Sequence, residues 1–181
     1  MSNSIQTRVT AKEFFDLPEE RHPIQLIAGE LIEMPTPIPN HQRLVVRLIV
    51  LLNGLIPNGE VFTAPISVYL DDENVLEPDV VWVAEGSPCA IKDTHLDGPP
   101  DLVVEVLSPS TARYDKIGKF NLYERHGVRE YWIVDPTLRS VEVWRLAETL
   151  FVYQGVYTAK DTFVSTVLGG KSVELNSVFA D

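Results

Sequence analysis

Two acidic residues interrupt segments whose composition is otherwise that of buried β-strands. Glu105 lies within the apolar run 102–107, LVVEVL, and Asp79 lies within 76–82, LEPDVVW. A carboxylate in a buried strand is costly unless it is paired, neutralised or bound to a metal ion. Mg²⁺ prefers oxygen ligands and takes one or two protein carboxylates together with water and phosphate oxygens. The two acids therefore predict a magnesium site if their strands pair side by side.

A helix that carries lysines follows the second acid. It is expected from about Ala112 to His126, with Gly127 ending it as the C′ residue. A metal ion activates water and offsets charge on an attacked phosphate, and a nearby ammonium group adds to this effect, so the arrangement suits phosphodiester cleavage. Lys116 and Lys119 are three residues apart and share a helix face, so either could serve, whereas most helix lysines are simply solvated.

Other segments predict the elements that must position these residues. Thr10 and Glu13 form a capping-box pattern, and a hairpin is expected to turn near Ala28-Gly29. Helical spacing of apolar residues indicates a helix from His41 to Ile56, with Asn40 as its N-cap. The remaining predicted elements are strands at Glu60 to Leu70 and Val75 to Ala84, a loop at Glu85 to Pro99, and strands at Glu130 to Val134, Ser140 to Leu146 and Leu150 to Tyr157.

The order of these elements predicts an α+β fold with a mixed sheet. Most connections are hairpins, but the strand at 102–107, the helix and the strand at Glu130 form one βαβ crossover. At 181 residues the chain has the size of a single domain, 1–181, and is long enough to bury a substantial core.

The composition indicates the class of protein and its expected location. A hydrophobic content of 45% and a charged content of 23% match globular proteins. The single cysteine, Cys89, cannot form an internal disulfide, and a signal peptide or spanning apolar stretch is absent from the sequence, so a cytoplasmic location is expected. The net charge of −11 disfavours tight binding to long duplex DNA, although five basic against two acidic residues give segment 113–129 a local charge of +3.

A set of motifs occurs in a fixed order between about Thr10 and Val178. They are Ile27-Ala-Gly-Glu-Leu, His41, Pro78-Asp79, Val104-Glu105-Val106-Leu-Ser-Pro-Ser, Asp115 with Lys119 and Tyr123, and Gly127-Val-Arg-Glu-Tyr-Trp-Ile-Val-Asp-Pro. This ordered set resembles the PD-(D/E)XK restriction-endonuclease-like superfamily, and within it the Uma-two group of bacterial endonucleases.

The resemblance implies a restriction-endonuclease-like fold, in which a mixed central sheet is flanked by helices and carries extra hairpins. It also implies a Mg²⁺- or Mn²⁺-dependent endonuclease that acts on DNA. Asp79, Glu105 and the Val106 carbonyl would hold the metal, and Lys119 would position or activate water. In the superfamily the lysine normally stands two residues after the second acid, where this chain has Leu107; in the Uma-like pattern it lies on the following helix, as Lys119 does.

A second departure concerns the first hairpin, where relatives usually carry a glutamate and this chain has Gln25. Glu30, Glu33 or Glu77 could compensate, since strand alternation puts Glu77 on the same face as Asp79.

His41 could orient water or contact phosphate, or it could be an exposed histidine at a helix start. Arg113, Tyr114 and Lys116 are candidate nucleic-acid contacts, with Tyr114 able to stack on a base, or they belong to a solvated helix face.

Two other functions stay open. Gln25, Leu107 and the net charge of −11 favour a non-catalytic nucleic-acid-binding or assembly module that keeps the fold. The modest basic segment would also suit a nuclease for short or single-stranded nucleic acid. The resemblance suggests a homodimer, which would place two sites for a double-strand cut.

Overall fold

The computed structural model describes residues 8–18, 24–55, 58–108 and 114–180, with the backbone alone for 114–117. The helices in this part of the chain are α1 (Ala11–Phe15), α2 (Pro39–Leu55) and α3 (Tyr114–His126). The strands are β1 (Ile24–Ile27), β2 (Glu30–Glu33), β3 (Glu60–Thr63), β4 (Val68–Asp71), β5 (Asn74–Leu76), β6 (Val80–Val83), β7 (Ala90–Ile91), β8 (Leu96–Asp97), β9 (Leu102–Val106), β10 (Glu130–Asp135), β11 (Ser140–Ala147), β12 (Leu150–Thr158), β13 (Thr162–Ser165) and β14 (Lys171–Glu174).

A mixed six-stranded sheet, the central sheet, forms the framework. Its strand order is β12-β11-β10-β9-β6-β3, and β9 and β10 are its parallel pair. The α3 helix connects these two strands, which confirms the predicted βαβ crossover. A second sheet has the order β2-β1-β5-β4-β8-β7, and β13 pairs with β14. The mixed α+β architecture predicted from the sequence is therefore confirmed.

The two strands predicted at Glu60 to Leu70 and Val75 to Ala84 are wrong as single elements. Each is divided, so that β3 and β6 belong to the central sheet while β4 and β5 belong to the second sheet. Proline has no N–H to donate to a strand ladder, and Pro65 and Pro78 stand in the two interruptions. The second interruption leaves Asp79 directly before β6, at a free end of that strand.

Two smaller predictions also need correction. The α2 helix begins at Pro39 rather than after Asn40, because proline is tolerated in a first helical turn whose N–H groups have no helical partner. The segment predicted as a loop from Glu85 to Pro99 contains the short strands β7 and β8. Thr10 does cap α1 with Glu13, and β1 and β2 do form the first hairpin. The predicted end of α2 at Ile56 lies outside the described residues.

Strand alternation separates two apolar clusters on opposite faces of the central sheet. On one face, Val104 and Trp132 pack with Leu48 of α2 and with β13 and β14. On the other face, Val103 packs with Leu122 and Tyr123 of α3. Since residues two apart in a strand share a face, Glu105 points to the α3 side with Val103. Within the described residues, no helix combines the length and the apolar character needed to cross a membrane.

Candidate active site

Asp79 and Glu105 lie at adjacent strand ends in the central sheet. Val80 pairs with Val104 in the antiparallel ladder of β6 and β9, and the same register continued by one residue places Asp79 opposite Glu105. The structure thus brings together the two acids that the sequence singles out. The N-terminal turn of α2 approaches them from one side, and α3 approaches from the other.

Asp79 is anchored through one carboxylate oxygen. Its Oδ2 accepts the backbone N–H of Val106 at 2.7 Å and lies 3.2 Å from Nε2 of His41. Its main-chain carbonyl accepts the Thr63 hydroxyl at 2.9 Å and the N–H of Ala64 at 3.3 Å. These contacts fix both the backbone and the side chain of Asp79, although the residue lies outside the regular ladder of β6.

Glu105 is also anchored through one oxygen, but by α3. Its Oε1 accepts Nζ of Lys119 at 3.0 Å and the hydroxyl of Tyr123 at 2.8 Å. Lys119 and Tyr123 are four residues apart, so they lie on one helix face. Both are buried, with 2% of Lys119 and none of Tyr123 exposed. Lys119 is therefore held against the acid and is not a solvated helix lysine.

The two acids share one arrangement. Each has one oxygen that accepts two hydrogen bonds, whereas Oδ1 of Asp79 and Oε2 of Glu105 accept none from the part of the chain that the structure describes. Two carboxylate oxygens of adjacent strands are consequently left for a ligand.

Burial and the neighbouring charge of Asp79 disfavour the ionised form of Glu105. Burial raises the pKa of Glu105; the Lys119 ammonium offsets part of this, while the charge of Asp79 adds to the rise. Burial also raises the pKa of Tyr123 well above its ordinary value, and the Glu105 charge acts in the same direction. The Tyr123 hydroxyl consequently stays protonated and donates to Glu105.

His41 lies against the same group. Burial alone would lower its pKa, but the hydrogen bond and charge of Asp79, the backbone of Val106 and the charge of Glu105 together leave the pKa raised. Nε2 faces Asp79, and the buried Nδ1 has no hydrogen-bond partner in the described structure. The imidazole is thus held at the acids, not exposed at a helix start.

The remaining candidates for metal support occupy different places. Gln25 is fully buried; its Oε1 accepts the N–H of Glu77 at 3.2 Å, and its Nε2 contacts the sulfur of Met34. Burial raises the pKa of the half-buried Glu77, and the positive charge of Lys119 opposes that rise, which places Glu77 within electrostatic reach of the site. Glu30, on β2, is exposed.

The predicted basic segment is largely engaged in ion pairs where it is described. Besides Lys119, Arg125 lies 3.5 Å from Asp71 and Arg129 lies 2.8 Å from Asp101. Arg113 falls outside the described residues, as do the side chains of Tyr114 and Lys116. Nucleic-acid contact by these three residues stays a prediction.

The residues present fit a hard divalent cation. Within the described chain, no group of three or more His, Cys, Asp or Glu side chains is arranged to hold a metal ion. A two-carboxylate site nevertheless matches Mg²⁺, which keeps several waters and binds substrate oxygens. The observation that supports the fit is the pair of adjacent like charges of Asp79 and Glu105, each with an oxygen that accepts no hydrogen bond from the described part of the chain.

Two contacts at the site were not predicted as such. The sequence marks Tyr123 only as part of a motif, although its spacing from Lys119 indicates a shared helix face. The Val106 carbonyl as a metal ligand stays a prediction, and the structure shows in addition that the Val106 N–H donates to Asp79. That second contact depends on strand register, which the sequence does not reveal.

The mixed central sheet, its βαβ crossover and the two acids at adjacent strand ends define a restriction-endonuclease-like domain. A model of the Uma2 family, described as "Putative restriction endonuclease", matches residues 11–175, and the chain belongs to this family. The predicted resemblance is thereby confirmed.

Two relatives and one solved structure are similar to this chain. An uncharacterized protein of Synechocystis sp. is 31% identical over 141 residues, which are 75% of this chain and 72% of the relative. A second uncharacterized protein of Synechocystis sp. is 30% identical over 139 residues, 74% of this chain and 78% of the relative. The crystal structure of a "putative nuclease belonging to DUF820" from Anabaena variabilis has a similar fold, with a TM-score of 0.78, 19% identity, and coverage of 95% of this chain and 98% of that chain.

Proposed function

We propose that the protein is a divalent-metal-dependent endonuclease that hydrolyses phosphodiester bonds in DNA. The observation that carries this proposal is the pair of acids at adjacent strand ends. Each is anchored through one oxygen, and each has a second oxygen that accepts no hydrogen bond from the described residues. Membership of the Uma2 family supports the same reaction class.

Asp79 and Glu105 would hold Mg²⁺ or Mn²⁺, with the Val106 carbonyl as a further ligand. The bound metal supplies a water of lowered pKa and positive charge for the attacked phosphate. Lys119 places an ammonium group at Glu105, where it stabilises the ionised carboxylate and adds positive charge beside the scissile phosphate. His41 holds Oδ2 of Asp79, so that the acid keeps one orientation.

Lys119 is the lysine of this proposed site. Its Nζ lies 3.0 Å from Oε1 of Glu105, and it reaches this acid from α3 and not from position 107, which directly follows β9 and carries Leu107. The long side chain of Lys119 therefore reaches Glu105 from the helix packed against the sheet. In the usual superfamily pattern, a lysine at position 107 would lie beside this acid. This contact favours Lys119 over Lys116.

DNA would approach along the N-terminal end of α3, which follows β9 in the chain. Arg113, Tyr114 and Lys116 are the proposed backbone contacts, and a homodimer would present two sites to the two strands of a duplex. A strictly monomeric mass by light scattering would remove the dimer while leaving the single site intact.

Calorimetric titration of Mn²⁺ tests the site directly. The wild type is compared with Glu105→Gln and with Glu130→Gln, since Glu130 is also a buried strand glutamate but is bonded to Trp132 and Thr166. We expect Mn²⁺ binding in the wild type and in Glu130→Gln, and none in Glu105→Gln. Cleavage of duplex and single-stranded oligonucleotides by the same proteins, with Mg²⁺ or with chelator, then tests the reaction and its preferred substrate.

Absence of metal binding would support the other candidate function, a non-catalytic module. If the wild type binds no Mn²⁺, even with a short oligonucleotide present, the endonuclease proposal fails. The non-catalytic module then takes its place, which the ion pairs of Arg125 and Arg129 and the net charge of −11 would fit. If the protein binds Mn²⁺ but cleaves none of the oligonucleotides, the proposed reaction is wrong and the metal site stands.

A further inference from the structure

We propose that Tyr123 is a positioning residue that orients Glu105 for metal binding. The inference rests on the proposed function, because it assigns a role within that same metal site. Tyr123 would not touch the metal or the substrate. It would act by fixing one oxygen of Glu105, so that the other oxygen is presented toward Asp79.

The contact geometry supports this role. The Tyr123 hydroxyl donates to Oε1 of Glu105 at 2.8 Å, and Lys119 donates to the same oxygen at 3.0 Å. With two donors on Oε1, the carboxylate has one defined orientation and Oε2 is the oxygen without a hydrogen bond in the described structure. Hydrogen bonds to ionised groups are stronger than those between neutral groups, so the two donors hold the Glu105 carboxylate in this orientation.

Tyr123 is better suited than Lys119 to define a direction. Lys119 presents a compact point charge at the end of a four-carbon chain, so its main effect on Glu105 is electrostatic. The Tyr123 ring is fully buried and packs edge-on against Tyr131, with ring centroids 5.1 Å apart and an interplanar angle of 62°. Its hydroxyl is therefore a fixed point, whereas the lysine supplies charge.

A packing role alone is the competing explanation. Tyr123 belongs to the apolar cluster between α3 and the central sheet, and a buried hydroxyl needs a partner in any case. The two explanations differ in what the hydroxyl does for metal affinity. A packing residue changes the stability of the fold, while a positioning residue also changes the dissociation constant of the metal in protein that remains folded.

Tyr123→Phe separates the two explanations because it removes one oxygen and keeps the ring. Tyr157→Phe is the matched control, since Tyr157 also packs against an aromatic ring and donates one hydrogen bond, to the Gln154 carbonyl at 3.1 Å, but away from the acids. Mn²⁺ is titrated into wild type and both variants by calorimetry, and thermal unfolding is measured without metal. Groups that orient metal ligands change affinity by about 10- to 100-fold when removed.

We expect Tyr123→Phe to weaken Mn²⁺ binding by about 10- to 100-fold, with Tyr157→Phe unchanged in affinity. A second pair keeps the full size of tyrosine: 4-aminophenylalanine at position 123 restores a donor and should restore affinity, whereas 4-methylphenylalanine should not. This pair carries the test if Tyr123→Phe does not fold. Equal Mn²⁺ affinity in wild type and in the variants without a donor would overturn the positioning role while leaving the metal site standing. If the wild type itself binds no Mn²⁺, both the role and the site fail.

Discussion

The backbone N–H of Val106 donates to Oδ2 of Asp79 at 2.7 Å, which ties the end of β9 to the acid that precedes β6. The same oxygen faces His41, so one carboxylate oxygen joins two strands of the central sheet to the first turn of α2. Asp79 is consequently a structural residue as well as a candidate ligand. Replacing it affects the fold and the chemistry, and the two effects have to be separated.

Asp79→Ala should destabilise the fold, whereas Asp79→Asn should do so much less. Alanine leaves the Val106 N–H without its acceptor, and an unsatisfied buried donor costs about 1–3 kcal/mol. Asparagine keeps a side-chain oxygen for the N–H but removes the charge. Urea denaturation gives the free energy of unfolding of each protein. Equal stability of all three would show that the contact contributes nothing to folding, and Asp79→Asn is the better variant for metal titrations.

Much of the fold follows from local sequence signals. The first hairpin, the capping box of α1 and the β9-α3-β10 crossover are each encoded by spacing or turn residues within a short segment. The division of the two longer predicted strands is not encoded in this way. Apolar residues continue on both sides of Pro65 and Pro78, so each segment has the composition of one strand although its two halves belong to different sheets. Strands of two residues, such as β7, leave no periodicity at all.

The candidate site, like the fold, can be predicted from the sequence only in part. Asp79 and Glu105 stand out because an acid in an apolar strand needs a compensating partner. The partners themselves depend on packing between distant segments: His41 reaches Asp79 from α2, and Tyr123 reaches Glu105 from α3. Residues four apart on a helix share a face, but only the tertiary structure determines what that face contacts.

Lys119→Met should strongly destabilise the protein at neutral pH. Removing one partner of a buried ion pair leaves an uncompensated charge on Glu105, at a cost of about 3–5 kcal/mol. Combining it with Glu105→Gln removes that charge and should recover most of the loss. Urea denaturation of the wild type, both single variants and the double variant gives the coupling free energy. Additive effects of the two substitutions would contradict a direct pair.

The loss caused by Lys119→Met should grow with pH. Burial already raises the pKa of Glu105, and without the ammonium group the pKa in the folded state rises further. Between the unfolded value near 4.5 and that raised value, the folded state binds a proton that the unfolded state does not, so stability falls as pH increases. The difference in unfolding free energy between wild type and variant, measured from pH 4 to 7, should therefore increase. A constant difference would mean that Glu105 is not the group left unpaired.

His41 should stabilise the metal-free protein at low pH and lose this effect as pH rises. Its pKa is raised from 6.5, since Asp79 outweighs the effect of burial. A raised pKa in the folded state gives stability that is complete below pH 6.5 and is lost as pH increases through the folded value. Imidazole resonances followed by NMR in the presence of chelator give the pKa, and His41→Gln should abolish this part of the pH dependence. His95→Gln is the control, and a His41 pKa at or below 6.5 would show that Asp79 does not outweigh the effect of burial.

Two glycines, one within α3 and one directly after it, should respond to alanine in opposite directions. Gly118 lies within the helix, and Gly127 follows its end with φ of +90°; a Cβ at either position would meet no atom within 4 Å. Gly118→Ala should stabilise the protein by about 0.5–1 kcal/mol, because alanine loses less conformational freedom in a helix. Gly127→Ala should destabilise it by about 1 kcal/mol or more, because alanine is strained at positive φ. Since neither substitution adds a side-chain contact, the change in unfolding free energy measured by chemical denaturation reports the backbone effect alone. The same sign for both would show that the Gly127 conformation does not determine how the helix ends.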